Sequence, residues 1–398
     1  MKTDQDSVIK LLEREISEDH LINWLQEMIS VPSENPFDSE PRPGFREQEL
    51  AEYYMEQMNE LGMEVYSRNV APGRPNIFGV QQGQKGGPTL MLCGHLDTVP
   101  TEGYIEAYTG KASGGKVYGR GACDMKAGLA CYLEVIRILR EASFRLGGTI
   151  ILCGVADEEY RMIGSKEIGL NGPKADQAVI AEPSSLSICP ANKGQLSFWI
   201  RTYGRSVHSS IPEKGENAIE RMARVLLAMS DYNSVLASRS AHPLCGHGRY
   251  SPGVIRGGEI VSSVPNYCEL EIDRRTLPGE TRDSVYSDIR IRLDELTKED
   301  PGFQYDLSDP SWEIPANDIS VNEPVVRSLL RSYLRLTGSS QQLVAFPGAT
   351  DAPNLGFPAV VCGPGSLAQA HSNNEYVEVS ELMTATRMYL SIVIDLLA

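Results

Sequence analysis

The stretch "GGPTLMLCGHLDTVP", residues 86–100, passes from a turn through an apolar run and into His95 and Asp97. A short, uninterrupted apolar run suits a strand buried on both faces. Gly94 closes the run, and two side chains able to bind metal follow with one residue between them. Three further apolar runs end in a similar way. "TIILCGVA" leads into Asp157, Glu158 and Glu159, "AVIA" into Glu182, and "AVVCGPG", a few residues on, into His371. Asp124 adds a carboxylate at the start of the helix predicted by "GRGACDMKAGLACYLEVIRILREA", a natural N-cap position.

Outward from these runs the pattern alternates. "SVIKLLEREI", "EDHLINWLQEMISV" and "FREQELAEYYMEQMNELG" have helical periodicity, and "EVYSRNV" and "NIFGVQQG" read as strands. Helices alternating with buried strands predict an α/β domain whose sheet is covered on both faces. Near Ala191 the character changes. "QLSFWIRTYG" alternates as a half-exposed strand, and the segments after it follow the order β-α-β-β-α-β, the ferredoxin-like arrangement. From about Val321 the earlier style returns. Ligand candidates stand on both sides of the central segment. The expected organisation is therefore a catalytic domain in two parts, residues 1–191 and 313–398, with residues 192–312 inserted as an α+β unit.

Bulk properties narrow the function. At 398 residues the chain exceeds one typical domain. A net charge of −16 argues against non-specific nucleic-acid binding and against an anionic membrane surface. No apolar run approaches the length of a membrane span, and the charged opening residues contain no signal-peptide core. Eight scattered cysteines without a CxxC pair read as reduced thiols, so a cytoplasmic protein is expected.

Open α/β sheets bind ligands at the carboxyl ends of their strands. Histidines and carboxylates gathered there suit Zn²⁺, Co²⁺ or Mn²⁺. Two histidines with three or four carboxylates exceed one tetrahedral zinc and suffice for two that share a carboxylate. On this reading His95 is a ligand, and Asp97, two residues on along an extended chain, holds its other ring nitrogen. Cys93 reads as core, on the other side of the strand. Singly, each of these residues reads as a cap or a solvated charge, and their joint occurrence carries the inference.

"GHLDTVP", "GRGACDMKAG", "ADEE", "AEPS", "GRSVHSSIPEKGENAI", "DRRTLPGE", "GATDAPNL" and "GPGSLAQAHSNNEYV" resemble the successive blocks of one family, in that family's order, from about Glu15 to the C-terminus. It is the zinc amidohydrolase family of acetylornithine deacetylase, succinyl-diaminopimelate desuccinylase, aminoacylase and the glutamate carboxypeptidases. The resemblance implies a zinc-peptidase-like mixed sheet covered by helices on both faces, and two Zn²⁺ per chain. His95 and Glu182 would hold one, Glu159 and His371 the other, and Asp124 would bridge them. It further implies Asp97 as the partner of His95, Glu158 as general base and a cis peptide between Asp124 and Met125. His208 would be donated by a partner subunit, Arg275 would bind a substrate carboxylate, and Gly348, Thr350 and Asp351 would line the substrate site. Residues 192–312 would form the dimerisation or lid domain of a homodimer. Without the family order, Glu158 and Glu159 are interchangeable, His208 could be a surface histidine, and Arg275 could pair with Glu269, Glu271 or Asp273.

Such a set suits amide hydrolysis. Paired metals lower the pKa of a bridging water to about 7 and polarise the carbonyl, while a carboxylate that is not a ligand moves the proton. Departures from the family are Ser263, where many members have Asn, and Met125, where some have a second Asp. Glu182, rather than Asp, points to the amino-acid deacylase branch. The expected activity is cleavage of the amide of an N-acyl amino acid, as in acetylornithine deacetylase. The alternatives are a dipeptidase or carboxypeptidase on the same scaffold and a metal-binding protein without turnover.

Overall fold

A computed structural model of the protein describes residues 2–37, 39 and 44–398. The chain divides into two compact units. The larger comprises Met1–Pro190, Ile319–Phe346 and Thr350–Ala398, and the smaller Ala191–Asp318 with Pro347–Ala349.

The larger unit is built on a six-stranded mixed sheet. Four strands run parallel: Thr149–Val155, Thr89–His95, Gln177–Pro183 and Ala359–Gly363, in that spatial order. Two antiparallel strands, Arg74–Gln81 and then Glu64–Ala71, extend the edge beside Thr149–Val155. Alternate residues of the parallel strands enter two different cores. Leu90, Leu92, Ile150, Leu152, Val179 and Ala181 join the cluster that includes residues of helices Lys126–Glu141 and Val379–Leu397. Met91, Cys93, Ile151, Cys153, Ala178 and Ile180 join the other cluster, with Ile168 of helix Ile163–Asn171. Burial on both faces is why these strands read as unbroken apolar runs.

The smaller unit has the order strand, helix, strand, strand, helix, strand, apart from a short extra helix, Tyr232–Ser238, which the sequence pattern does not predict. Its antiparallel sheet runs Arg249–Gly257, Tyr267–Thr276, Gly194–Tyr203, Gln304–Leu307. Strict alternation of burial along Gly194–Tyr203 marks a sheet with one face in the core. That face packs on Met222 and Val225 of one helix and Val285, Ile289 and Leu293 of the other. Residues 312–318 group with this unit because Trp312–Ile314 pairs with Gly194–Tyr203, and Asn317–Asp318 with Ala191–Asn192.

Helix Lys126–Glu141 approaches the sheet closely through a glycine. A Cβ at Gly128 would lie 2.3 Å from the Cβ of Ala181, the residue before Glu182. Gly128→Ala should therefore lower the denaturation midpoint of the larger unit, because overpacking at about 1–3 kcal/mol outweighs the helix preference of up to about 1 kcal/mol. Gly128→Val should lower it further, as followed by urea unfolding.

Candidate active site

The parallel strands deliver the ligand candidates. His95 ends its strand, and Glu182 is the penultimate residue of the neighbouring one. Glu158 and Glu159 follow Thr149–Val155 in a turn that begins at Asp157, whose φ is +70°. Asp124 lies before helix Lys126–Glu141, but Met125 holds the N-cap position and no side chain caps the helix. The Asp124–Met125 peptide is cis. His371 comes from the loop after Ala359–Gly363 and has a φ of +62°.

Asp124 is central. Its Oδ1 lies 3.0 Å from His95 Nε2, and its Oδ2 lies 3.5 Å from His371 Nε2. Glu182 Oε1 approaches His95 Nε2 to 3.9 Å, whereas Glu159 Oε2 approaches His371 Nε2 to 3.1 Å. Each imidazole thus has one carboxylate of its own and shares Asp124 with the other. One ligand atom each from His95, Asp124 and Glu159 fall within 4.8 Å of one another.

Two details differ from the pattern read along the strand. The close partner of His95 Nδ1 is the backbone carbonyl of Asp97, at 2.8 Å, and the Asp97 carboxylate stands 3.8 Å away. The strand stops at His95, so a two-residue alternation does not carry over to the side chain of Asp97. Its oxygens instead accept the backbone N–H groups of Glu158 and Glu159, at 3.0 and 3.1 Å. Cys93, two residues before His95, lies on the same side of the strand, and its depth among Met91, Cys153 and Ile180 is what keeps it in the core.

The electrostatics are those of crowded, buried acids. Burial raises the carboxyls of Glu158 and Glu182 well above the usual carboxylate range, and the charge of Glu182 adds to the rise at Glu158. Burial also raises Glu159 and pushes Asp351 up to about 7. Asp124 goes the other way: against burial, His371 and His95 hold it low. Hydrogen bonds to Asp124 and Glu159 push the His371 imidazole up to about 10. His95 is also raised, because Asp124 and Glu182 outweigh its burial. Glu159 Oε1 and Glu182 Oε1 are buried without a hydrogen-bond partner. Orphaned carboxylate oxygens beside two imidazoles are a donor set that fits divalent cations.

The other candidates divide between the units. Thr350 and Asp351 belong to the larger unit and are fully buried; the charge of Asp351 adds to the rise at Glu158, and His95 in turn pulls Asp351 down against its burial. Gly348, Arg275 and His208 belong to the smaller unit. Arg275 donates from Nε to Asp273 at 3.0 Å. His208 is exposed and bridges antiparallel to Ser263, the position where the family often has Asn. The Ser210 backbone N–H donates to His208 Nδ1 at 3.2 Å. A backbone N–H can only donate, so Nδ1 accepts and the neutral ring carries its proton on Nε2.

Sequence reasoning did not single out Glu375 and Arg120. Glu375 Oε1 accepts the N–H groups of Cys123 and Asp124 at 2.9 and 3.0 Å. Arg120 binds Glu375 Oε2 at 2.6 Å and reaches the carbonyls of Ser372 and Pro100 at 3.3 and 3.2 Å. One ion pair thereby ties together the loops that follow His95, precede Asp124 and follow His371. The available signal was position alone, since both residues lie within the blocks "GRGACDMKAG" and "HSNNEYV".

The family described as "Peptidase family M20/M25/M40" matches the chain over residues 91–395. The chain belongs to this family. Among M20 relatives, acetylornithine deacetylase from Aliivibrio fischeri is 30% identical over 90% of this chain and 93% of its own length. N-formyl-4-amino-5-aminomethyl-2-methylpyrimidine deformylase from Bacillus subtilis is 27% identical over 98% of each chain. The crystal structure of aminopeptidase PepT from Bacillus cereus superposes with a TM-score of 0.78, covering 96% of this chain and 99% of that one, at 22% identity. This M20 chain is accordingly a hydrolase of the amidohydrolase and peptidase class on the M20 fold. Among the described residues, no helix is long and apolar enough to cross a membrane.

The raised groups set a pH dependence for the metal-stripped protein. Glu158, Glu182 and Asp351 keep their protons to higher pH in the folded chain than in the unfolded one, as do His95 and His371. The folded state then binds more protons between about pH 4 and pH 10, and stability falls as pH rises through that window. Asp124 has the opposite sign, and its stabilisation is lost only as pH falls below about 4. In chelator, the melting temperature should fall from pH 5 to pH 9, and added Zn²⁺ should flatten the curve, as read by scanning fluorimetry.

Proposed function

We propose that this hydrolase cleaves the amide bond of a small N-acyl amino acid, with two Zn²⁺ per chain, or Co²⁺ or Mn²⁺ in their place. His95, Glu182 and Asp124 would hold one ion, and His371, Glu159 and Asp124 the other. When bound, the pair supplies Lewis acidity, acidifying water and polarising the scissile carbonyl. One observation carries the proposal: of two adjacent glutamates, Glu159 engages His371 at 3.1 Å, while the Glu158 carboxylate has no hydrogen-bond partner among the described residues. A raised, unengaged carboxylate is poised to take a proton from water and return it to the departing amine. His208, with its proton on Nε2, would donate to the oxyanion, and Arg275 would bind the substrate carboxylate through its fork. Two curated relatives are named for removing an acetyl or formyl group from an amine, which favours a small acyl group.

A panel of N-acetyl, N-formyl and N-succinyl amino acids against dipeptides, read by amine release, tests the class. Preferential turnover of dipeptides would replace the deacylase reading with a peptidase one. Glu158→Gln should leave metal content intact and lower kcat by about 10²–10⁴-fold. Loss of metal in Glu158→Gln, with retention in Glu159→Gln, would reverse the two roles.

We also propose a homodimer through residues 192–312, with His208 acting across it. Co-expressed His208→Ala and Glu158→Gln chains test this arrangement. Each homodimer should be nearly inactive. In a mixed dimer the site on the His208→Ala chain keeps Glu158 and receives the partner's intact histidine. Random pairing makes about half the dimers mixed, so about a quarter of wild-type activity should return. Proven mixed dimers with no recovery would place His208 in its own chain's site.

A further inference from the structure

The turn that carries Glu158 and Glu159 is closed by its own backbone where Met162 N donates to Asp157 O at 2.6 Å and Gly164 N to Ala156 O at 3.1 Å, but the N–H groups at its start look outward. Four consecutive N–H groups are held by side chains from other segments. Ala156 N donates to Asn76 Oδ1 at 3.1 Å, Asp157 N to Glu47 Oε1 at 3.0 Å, and Glu158 N and Glu159 N to the Asp97 carboxylate. The acceptors are themselves cross-linked. Arg74 donates from Nε to both Glu47 oxygens, at 3.1 and 2.9 Å, and from Nη1 to Asp157 Oδ1 at 2.5 Å. Asn35 Nδ2 bridges Asp97 Oδ2 at 2.8 Å and Asp157 Oδ1 at 2.9 Å. Asp157 Oδ2 then accepts the N–H of Arg161 at 3.1 Å, closing the turn.

Three carboxylates, Glu47, Asp97 and Asp157, are at most 1% exposed, and Arg74 is the cation that hydrogen-bonds two of them. Glu47 stands at the start of helix Gln48–Glu60, and Arg74 is the first residue of strand Arg74–Gln81. Neither hydrogen-bonds the side chain of a ligand candidate. A buried ion pair of this kind is costly unless every oxygen is satisfied, and here the remaining capacity is spent on the turn.

We propose that Glu47 and Arg74 are positioning residues for the proton-transfer and ligand glutamates. Their forked ion pair, with Asn35 as the second link, sets the path of residues 156–161 and hence where the Glu158 and Glu159 side chains leave the backbone. The guanidinium is required for its shape as well as its charge, because one planar fork spans both Glu47 oxygens and Asp157 together. An ammonium at this position keeps the charge and loses the span.

The test uses Arg74→Lys, which keeps the charge and loses the fork, and the near-isosteric Glu47→Gln, in the whole 398-residue chain. Hydrogen exchange followed by mass spectrometry on the metal-free protein reads the turn directly and needs no substrate. Exchange in peptides covering residues 154–162 should quicken at least about tenfold in either variant, while peptides within helix Val379–Leu397 stay unchanged. Unchanged protection at 154–162, or equal loosening of both regions, overturns the proposal. The catalytic arm rests on the amidohydrolase reading and uses N-acetyl-L-ornithine. Arg74→Lys should lower kcat about 10–100-fold with KM within about twofold, and the loss should largely vanish in a Glu158→Gln background, because the two residues act through one step. A loss of equal size in both backgrounds overturns the coupling to Glu158. If wild type does not turn over N-acetyl-L-ornithine, that substrate reading fails, and the exchange arm still decides the positioning role.

Discussion

Negative charge gathered at the carboxyl ends of the parallel strands is the constraint on which the rest of the larger unit depends. Asp124, Glu158, Glu159, Glu182 and Asp351 converge there, with His95 and His371 as the facing groups that can be cationic. Burial alone would drive these acids to their neutral forms, and for most of them it does raise the pKa. Asp124 escapes because each of its oxygens faces an imidazole. The arrangement makes sense as a receptacle for divalent cations, since a dense set of buried oxygens is a penalty without them and a ligand set with them.

Holding that charge in place requires backbone that is rigid where it is irregular. The strands end at the site, so the residues beyond them cannot rely on ladder hydrogen bonds. Side chains supply the partners instead. Glu375 accepts two N–H groups before the cis peptide, and Asp97 and Glu47 accept three in the glutamate turn. Buried N–H groups need partners wherever the regular elements stop, and an acid can serve two of them at once. The structure thus uses carboxylates in two ways: some face the imidazoles and form the candidate metal centre, and others behind them hold the backbone.

The first role was legible in the sequence and the second was not. His95, Glu158, Glu159 and Glu182 announce themselves by standing where apolar runs stop, a signal that follows from the sheet being buried on both faces. The resemblance to a family then ordered them. Glu47 and Arg74 stand at the very start of a helix and a strand, and Asn35 and Glu375 in loops, where a charged or polar residue reads as solvated and only tertiary contacts bring it inward. Asp97 reads from the sequence as the partner of His95 Nδ1, but its carboxylate stands 3.8 Å away and serves the glutamate turn, because the chain leaves the strand at His95. Helix Ile163–Asn171 went unread for a related reason: its first buried residues, Gly164 and Ser165, are small and form no apolar stripe.

One carboxylate holding two successive N–H groups also explains how neighbouring glutamates come to differ. With Glu158 N and Glu159 N both aimed at Asp97, the backbone is fixed on one side, and successive side chains depart in different directions. Their electrostatic surroundings differ accordingly. After burial, Glu159 responds chiefly to Asp124 and His371, whereas Glu158 responds chiefly to Glu182 and His95. The two proposed roles, ligand and proton carrier, are thus compatible with adjacent positions. The difference is created by the turn rather than by the residues, which are chemically identical. The division of labour proposed for these two glutamates would rest on backbone geometry, in a turn whose N–H groups are held by side chains from other segments.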